Sequence, residues 1–146
     1  MKKIFSLAVM LLVAVSSFAQ IEFVEIAQSQ VVGKIDYVYI EKIGDEDYNF
    51  YYKNMNEIAH EYVNFSFKNL DNDLDKLYNG LIMGFETVPR DPLKMKANGE
   101  IVWLKYTRNA DNTVTLTFEQ NISVDPPLTA KSKDLTLDEI NALFKK

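Results

Sequence analysis

The chain has no cysteine in its 146 residues, so it forms no disulfide, gives no thiolate to a metal and has no cysteine nucleophile. It has a single histidine, His60. The run around it reads EIAHE, with Asn56 where a zinc-protease helix would carry its other histidine four residues away, so that motif fails. His60 stays open as a lone general base, or as a ligand with Glu57 and Glu61. A histidine without chemistry is the stronger reading, because the partners are missing. No serine sits in a G-x-S-x-G elbow, and no glycine-rich loop is built to cradle phosphate.

Basic residues are in the minority, 16 Lys and Arg against 21 Asp and Glu, for a formal charge of −5. No basic block concentrates them, so the composition predicts no nucleic-acid partner. Apolar runs are short everywhere except at the start. There, Lys2 and Lys3 precede an apolar run from Ile4 to Val15, and Ser17 and Ala19 occupy the small-residue positions that signal peptidase requires. This predicts a secretory signal peptide over residues 1–19, cut before Gln20. The run is shorter than the roughly 20 residues of a membrane-spanning helix. No cysteine stands at the cut to carry a lipid. Cleavage leaves 127 residues, with the basic count falling from 16 to 14 and the net charge moving to −7. That length predicts one domain over residues 20–146, periplasmic or extracellular and without a transmembrane segment.

Within that domain the hydrophobic period is mostly two. KIDYVYIEKI (Lys34–Ile43) reads as one strand, and Gly44–Asp47 as a turn. Tyr48–Lys53 and a strand ending at Phe67 read as a hairpin turning near Asn54–Asn56. The period then changes: Leu74, Leu77, Tyr78, Leu81, Ile82 and Phe85 form one stripe of a helix, capped by Asn72 or Asp71. Gly80 suggests close approach of that helix to the sheet, and Pro89 and Pro92 end it. After the Asn98-Gly99 turn, EIVWLKYT and TVTLTFEQ form a hairpin whose threonine face is expected to meet water. SVDPPLTAKSKD reads as irregular. A last short helix opens on a capping box, Thr136 with Glu139, and Leu135 is placed to staple to Ile140. The order predicts an α+β fold: a mostly antiparallel sheet of about five or six strands with two helices packed on one face.

The acidic run Asp71–Asp75 opens like a calcium loop, but Lys76 and Ile82 stand where the loop needs glycine and a bidentate glutamate, so helix capping explains it better. The sequence implies no cofactor and no metal. The aromatic residues are the other distinctive feature. Eight tyrosines and Trp103 fall mostly on strands, where packing explains most of them. Tyr51 and Trp103 lie opposite the more regular apolar set of their strands, which makes them the candidate partner-binding residues.

The segments YNFYYKN, FSF, LYNGLIMGFET, IVWLKY and LTLDEINALF, spread from about Tyr48 to Phe144, resemble a family of short, uncharacterised exported bacterial proteins. The resemblance implies an envelope or secreted setting and no particular activity. The expected function is a small exported, non-catalytic binding or accessory protein, with an envelope or extracellular protein or a glycan as partner. Two alternatives stand beside it: a small hydrolase working through carboxylates or His60, and a secreted inhibitor of another enzyme.

Overall fold

The computed structural model describes residues 26–56 and 61–146. The signal-peptide reading of residues 1–19, and His60 with its neighbours Glu57, Ile58 and Ala59, lie outside the described residues. Among the described residues the fold is α+β: two helices and two antiparallel sheets, with nine strands where five or six were expected. The first sheet holds β1 (Ser29–Ile35), β2 (Val38–Ile43), β3 (Asp47–Lys53) and β4 (Tyr62–Lys68) in sequential order. Helix α1 (Asp73–Thr87) leads to the second sheet, β5 (Leu93–Ala97), β6 (Glu100–Arg108), β7 (Val114–Val124) and β8 (Pro127–Lys131). The two-residue strand β9 (Leu135–Thr136) pairs with β7 and runs into helix α2 (Leu137–Phe144). Among the described residues no helix is long and apolar enough to cross a membrane.

The extra strands come from a hairpin at Asp36-Tyr37, from β5, and from β8 and β9, β8 lying in the stretch SVDPPLTAKSKD expected to be irregular. The expected strand Lys34–Ile43 is a hairpin, with Ile35 opposite Val38 across a turn at Asp36-Tyr37. Tyr37 takes φ 67°, a left-handed conformation that its residue type does not advertise. The Asn98-Gly99 turn, with φ 47° and 85°, joins β6 to a strand that precedes it, β5, and not to a loop. The Tyr48–Phe67 hairpin is as expected, with Tyr48 opposite Phe67 and Phe50 opposite Phe65. Pro127 is accommodated because it is the first residue of an edge strand.

The inner faces of the sheets meet at Phe118 of β7. Its ring lies 4.8 Å from Phe50 and 6.1 Å from Phe65. All three rings are fully buried. Helix α1 packs on the same face of the second sheet, with Phe85 edge-on to Tyr106 at 5.3 Å. The close approach falls at Gly84, where a Cβ would overlap the Tyr106 ring, and not at Gly80, where a Cβ would meet nothing within 4 Å. Helix α2 packs on α1 through Tyr78 and Phe144, and its Leu143 carbonyl lies where a side chain at Gly33 of β1 would be.

Both helix starts follow from local chemistry. At α2 the capping box is complete: the Glu139 amide donates to Thr136 Oγ1, and the Thr136 amide donates to the Glu139 carboxylate. Leu135 and Ile140, at the staple positions, are both fully buried. At α1 the caps differ from expectation. Asn72 is left-handed and its side chain caps nothing. Asn69 instead accepts from the Leu74 amide, and the Asp73 carboxylate accepts from the amides of Leu70 and Asp71. The threonine face of β7 is also corrected. Thr115 and Thr117 are buried, because β7 is the central strand, flanked by β6 on one edge and β8 and β9 on the other. Thr117 donates to Asp134 at 2.8 Å.

Candidate ligand-binding cleft

β4 and β5 are the terminal strands of their sheets on the side where α1 connects them. They are tied at one end by the Asn98 side-chain amide, which donates to the Ser66 hydroxyl at 3.0 Å. Beside that tie, the two strands and α1 enclose an open cleft of about 660 Å³. This falls in the size range of small-ligand and peptide sites. Its floor is apolar: Phe65, Leu81, Ala97 and Leu104 belong to the core. Above them, half-buried Phe67, Leu77 and Met95 form the walls, and Met83 and Leu93 stand exposed at the mouth. Gly80 lowers the helix wall, since it brings no side chain into the space.

The cleft has the opposite charge to the chain. Among the described residues Lys68, Lys76, Lys94 and Lys96 border it, against one carboxylate, Asp73. The chain as a whole carries −5. Lys76 is held by Asp71 at 2.8 Å and Asp73 at 3.4 Å, and Lys68 stands 4.0 Å from Asp47. Lys94 extends over Trp103, 5.7 Å from the ring centre, on the face of the sheet turned away from the core. Lys96 makes no salt bridge among the described residues.

Asp73 is poorly suited to proton transfer. The Asp71 amide above all holds its carboxyl below the usual range; desolvation opposes it, and the Leu70 amide and Lys76 add to the lowering. Among the described residues no group of three or more His, Cys, Asp or Glu is placed to hold a metal ion. The cleft is equipped to bind an apolar body carrying negative charge.

The two residues singled out by sequence lie elsewhere and apart. Tyr51 is on the outer face of the first sheet, opposite Tyr39 in register. Their rings stack at 4.5 Å and 14°, and Tyr62 closes on Tyr39 at 5.5 Å. That separation matches the spacing of neighbouring strands, so the rings stand upright and cover each other's faces. Burial, followed by the Glu41 charge and hydrogen bond, raises the Tyr51 hydroxyl, which outweighs the opposing bond from Asn49. For Tyr39 burial again leads, followed by Tyr51 and Glu41. A sugar ring stacks on an open aromatic face, and this ladder presents hydroxyls and ring edges instead. Trp103 is half-buried on the outer face of the second sheet, beneath Lys94. It therefore touches the cleft's border through Lys94 and not through its own ring.

The cleft escaped sequence reasoning because β5 did. The signal was available: an Asn-Gly hairpin turn needs a strand on each side, and Leu93, Met95 and Ala97 alternate before it. The chain matches no protein-family model, no curated protein and no solved structure.

Proposed function

We propose that this chain is a small exported binding or accessory protein without catalysis, and that its ligand site is the cleft between β4, α1 and β5. One observation carries the reading: an open, apolar-floored cleft of about 660 Å³ bordered by four lysines in a chain of net negative charge. The signal-peptide pattern of residues 1–19 supports a periplasmic or extracellular setting, and so an envelope or extracellular protein as the partner. The upright, mutually stacked tyrosines favour a protein partner over a glycan.

Capture from the exported fraction tests the site, with the unaltered protein, Gly80→Phe and the Tyr51→Ala/Trp103→Ala double variant side by side. The expected partner binds the first and third and is lost from the second. A partner retained by Gly80→Phe and lost from the double variant would place the site on the aromatic faces. Sequencing of the exported product is expected to begin at Gln20. A product that keeps residues 1–19 would overturn the export reading.

A further inference from the structure

The lining of the cleft has an asymmetry. From β4 it takes Phe65, Phe67 and Lys68, mainly one face of the strand, but from β5 it takes every residue from Leu93 to Ala97 and then Asn98. The face of a strand contributes alternate residues, whereas an edge contributes all of them. Among the described residues β5 pairs with β6 alone, which leaves its other edge unpaired by them along about 17 Å of backbone. An unpaired edge beside an apolar cleft is a template for an added strand.

We infer that the cleft receives an extended peptide segment as an added strand on β5, and that this segment alternates acidic with apolar residues; the inference rests on the cleft reading above. The alternation follows from the two faces of β5. Leu93 and Met95 pair with Leu104 and Val102, whose side chains belong to the core, so every second side chain of the incoming strand enters the cleft beside Phe67 and Leu77. Lys94 pairs with Trp103 and Lys96 with Ile101 on the opposite face. There the intervening side chains of the incoming strand meet ammonium groups, and opposite charges across a strand pair are stabilising. The same lysines repel a second copy of this edge, so the geometry favours an acidic partner over self-pairing.

The experiment uses the purified protein with a pool of capped hexapeptides alternating Glu or Asp with Leu, Val or Phe, and a matched pool carrying Lys in place of the acids. Each binder is also made with its backbone amides methylated, either at the acidic positions or at the apolar ones. Dodecanoate serves as a free apolar carboxylate, and Gly80→Phe as the blocked cleft. The acidic pool is expected to contain binders at least about tenfold tighter than their lysine counterparts. One methylation pattern should weaken binding by about five- to tenfold, since it removes the hydrogen bonds to the edge, and the other should leave it unchanged. Amide exchange across Leu93–Ala97 should slow on binding. The inference is overturned if both methylation patterns bind like the parent, if no member of the acidic pool binds, or if β5 exchange is unaltered. Dodecanoate binding that Gly80→Phe abolishes, without peptide binding, would remove the added strand and leave the cleft as a ligand site. No binding of any probe would count against both.

Discussion

Tyr106 donates its hydroxyl hydrogen to the backbone carbonyl of Leu81 at 2.8 Å, across the interface between β6 and α1, and its ring fills the space a side chain at Gly84 would need. Burial raises the hydroxyl pKa far above its ordinary value, so the donor is kept well beyond the pH at which a free tyrosine ionises. This contact fixes how close α1 lies to the second sheet, and so the width of the cleft between α1 and β5.

Gly84→Ala is therefore expected to destabilise the fold by about 1–3 kcal/mol, the range for forced overpacking. Tyr106→Phe removes one buried hydrogen bond, while the Leu81 carbonyl keeps its acceptor role inside the helix, at about 0.5–1.5 kcal/mol. Urea unfolding midpoints check both. A Gly84→Ala midpoint equal to that of the unaltered protein would mean the helix stands further off than described.

Gly80→Ala should act in the opposite direction. A methyl group there meets nothing within 4 Å, and alanine is favoured over glycine inside a helix by about 1 kcal/mol. The variant is expected to gain up to about that much stability while slightly narrowing the cleft. A loss of stability would show that the space above Gly80 is filled.

The two glycines show what the sequence could and could not disclose. One apolar stripe placed α1 correctly, because helix periodicity is a local property. Which of its glycines touched the sheet depended on helix rotation, which is set by a ring from β6 more than twenty positions away. The hairpin from Tyr48 to Phe67, the Val102–Leu104–Tyr106 core face and the Thr136–Glu139 box were equally legible, each from neighbours in sequence. The division into two sheets was not. It rests on the left-handed Tyr37, on β5, and on Phe118 meeting Phe50 across the chain. The cleft inherits that difficulty, because two strand edges far apart in sequence form its walls.

Acid should weaken the α2 cap. Burial alone would raise the Glu139 pKa, but the Lys133 hydrogen bond, the Thr136 amide and the Lys133 charge together hold it below the ordinary glutamate value. A carboxylate depressed in the folded state stabilises fully above its unfolded pKa, near 4.3. It loses that contribution as pH falls through the lower folded value. Glu139→Gln is expected to flatten the stability profile below about pH 4.5 and to lower stability at neutral pH. Thr136→Ala should cost about 1 kcal/mol at neutral pH and somewhat less in acid, because it removes both the acceptor for the Glu139 amide and a donor to the Glu139 carboxylate. Thermal unfolding followed from pH 3 to 7 checks both. An unchanged acid limb in Glu139→Gln would show that other carboxylates govern it.

Tyr51→Ala should separate packing from binding. The substitution removes the ring stacked on Tyr39 and is expected to cost about 0.5–1.5 kcal/mol beyond the lost burial, the range for a paired aromatic contact. Tyr51 lies on the outer face of the first sheet, turned away from the side where Phe50 and Phe65 meet Phe118. None of the cleft lining comes from Tyr39, Tyr51 or Tyr62. A peptide titration on this variant is therefore expected to return the affinity of the unaltered protein within about twofold, well under the tenfold step of 1.4 kcal/mol, even as the melting temperature falls. Trp103→Ala differs in kind, since it releases Lys94 from its place over the ring without opening the cleft floor. It should weaken acidic peptides by less than loss of the lysine itself, which Lys94→Gln measures directly. If Tyr51→Ala abolished peptide binding while the protein remained folded, the ligand would lie on the tyrosine ladder, and the stacked rings would have to open to receive it.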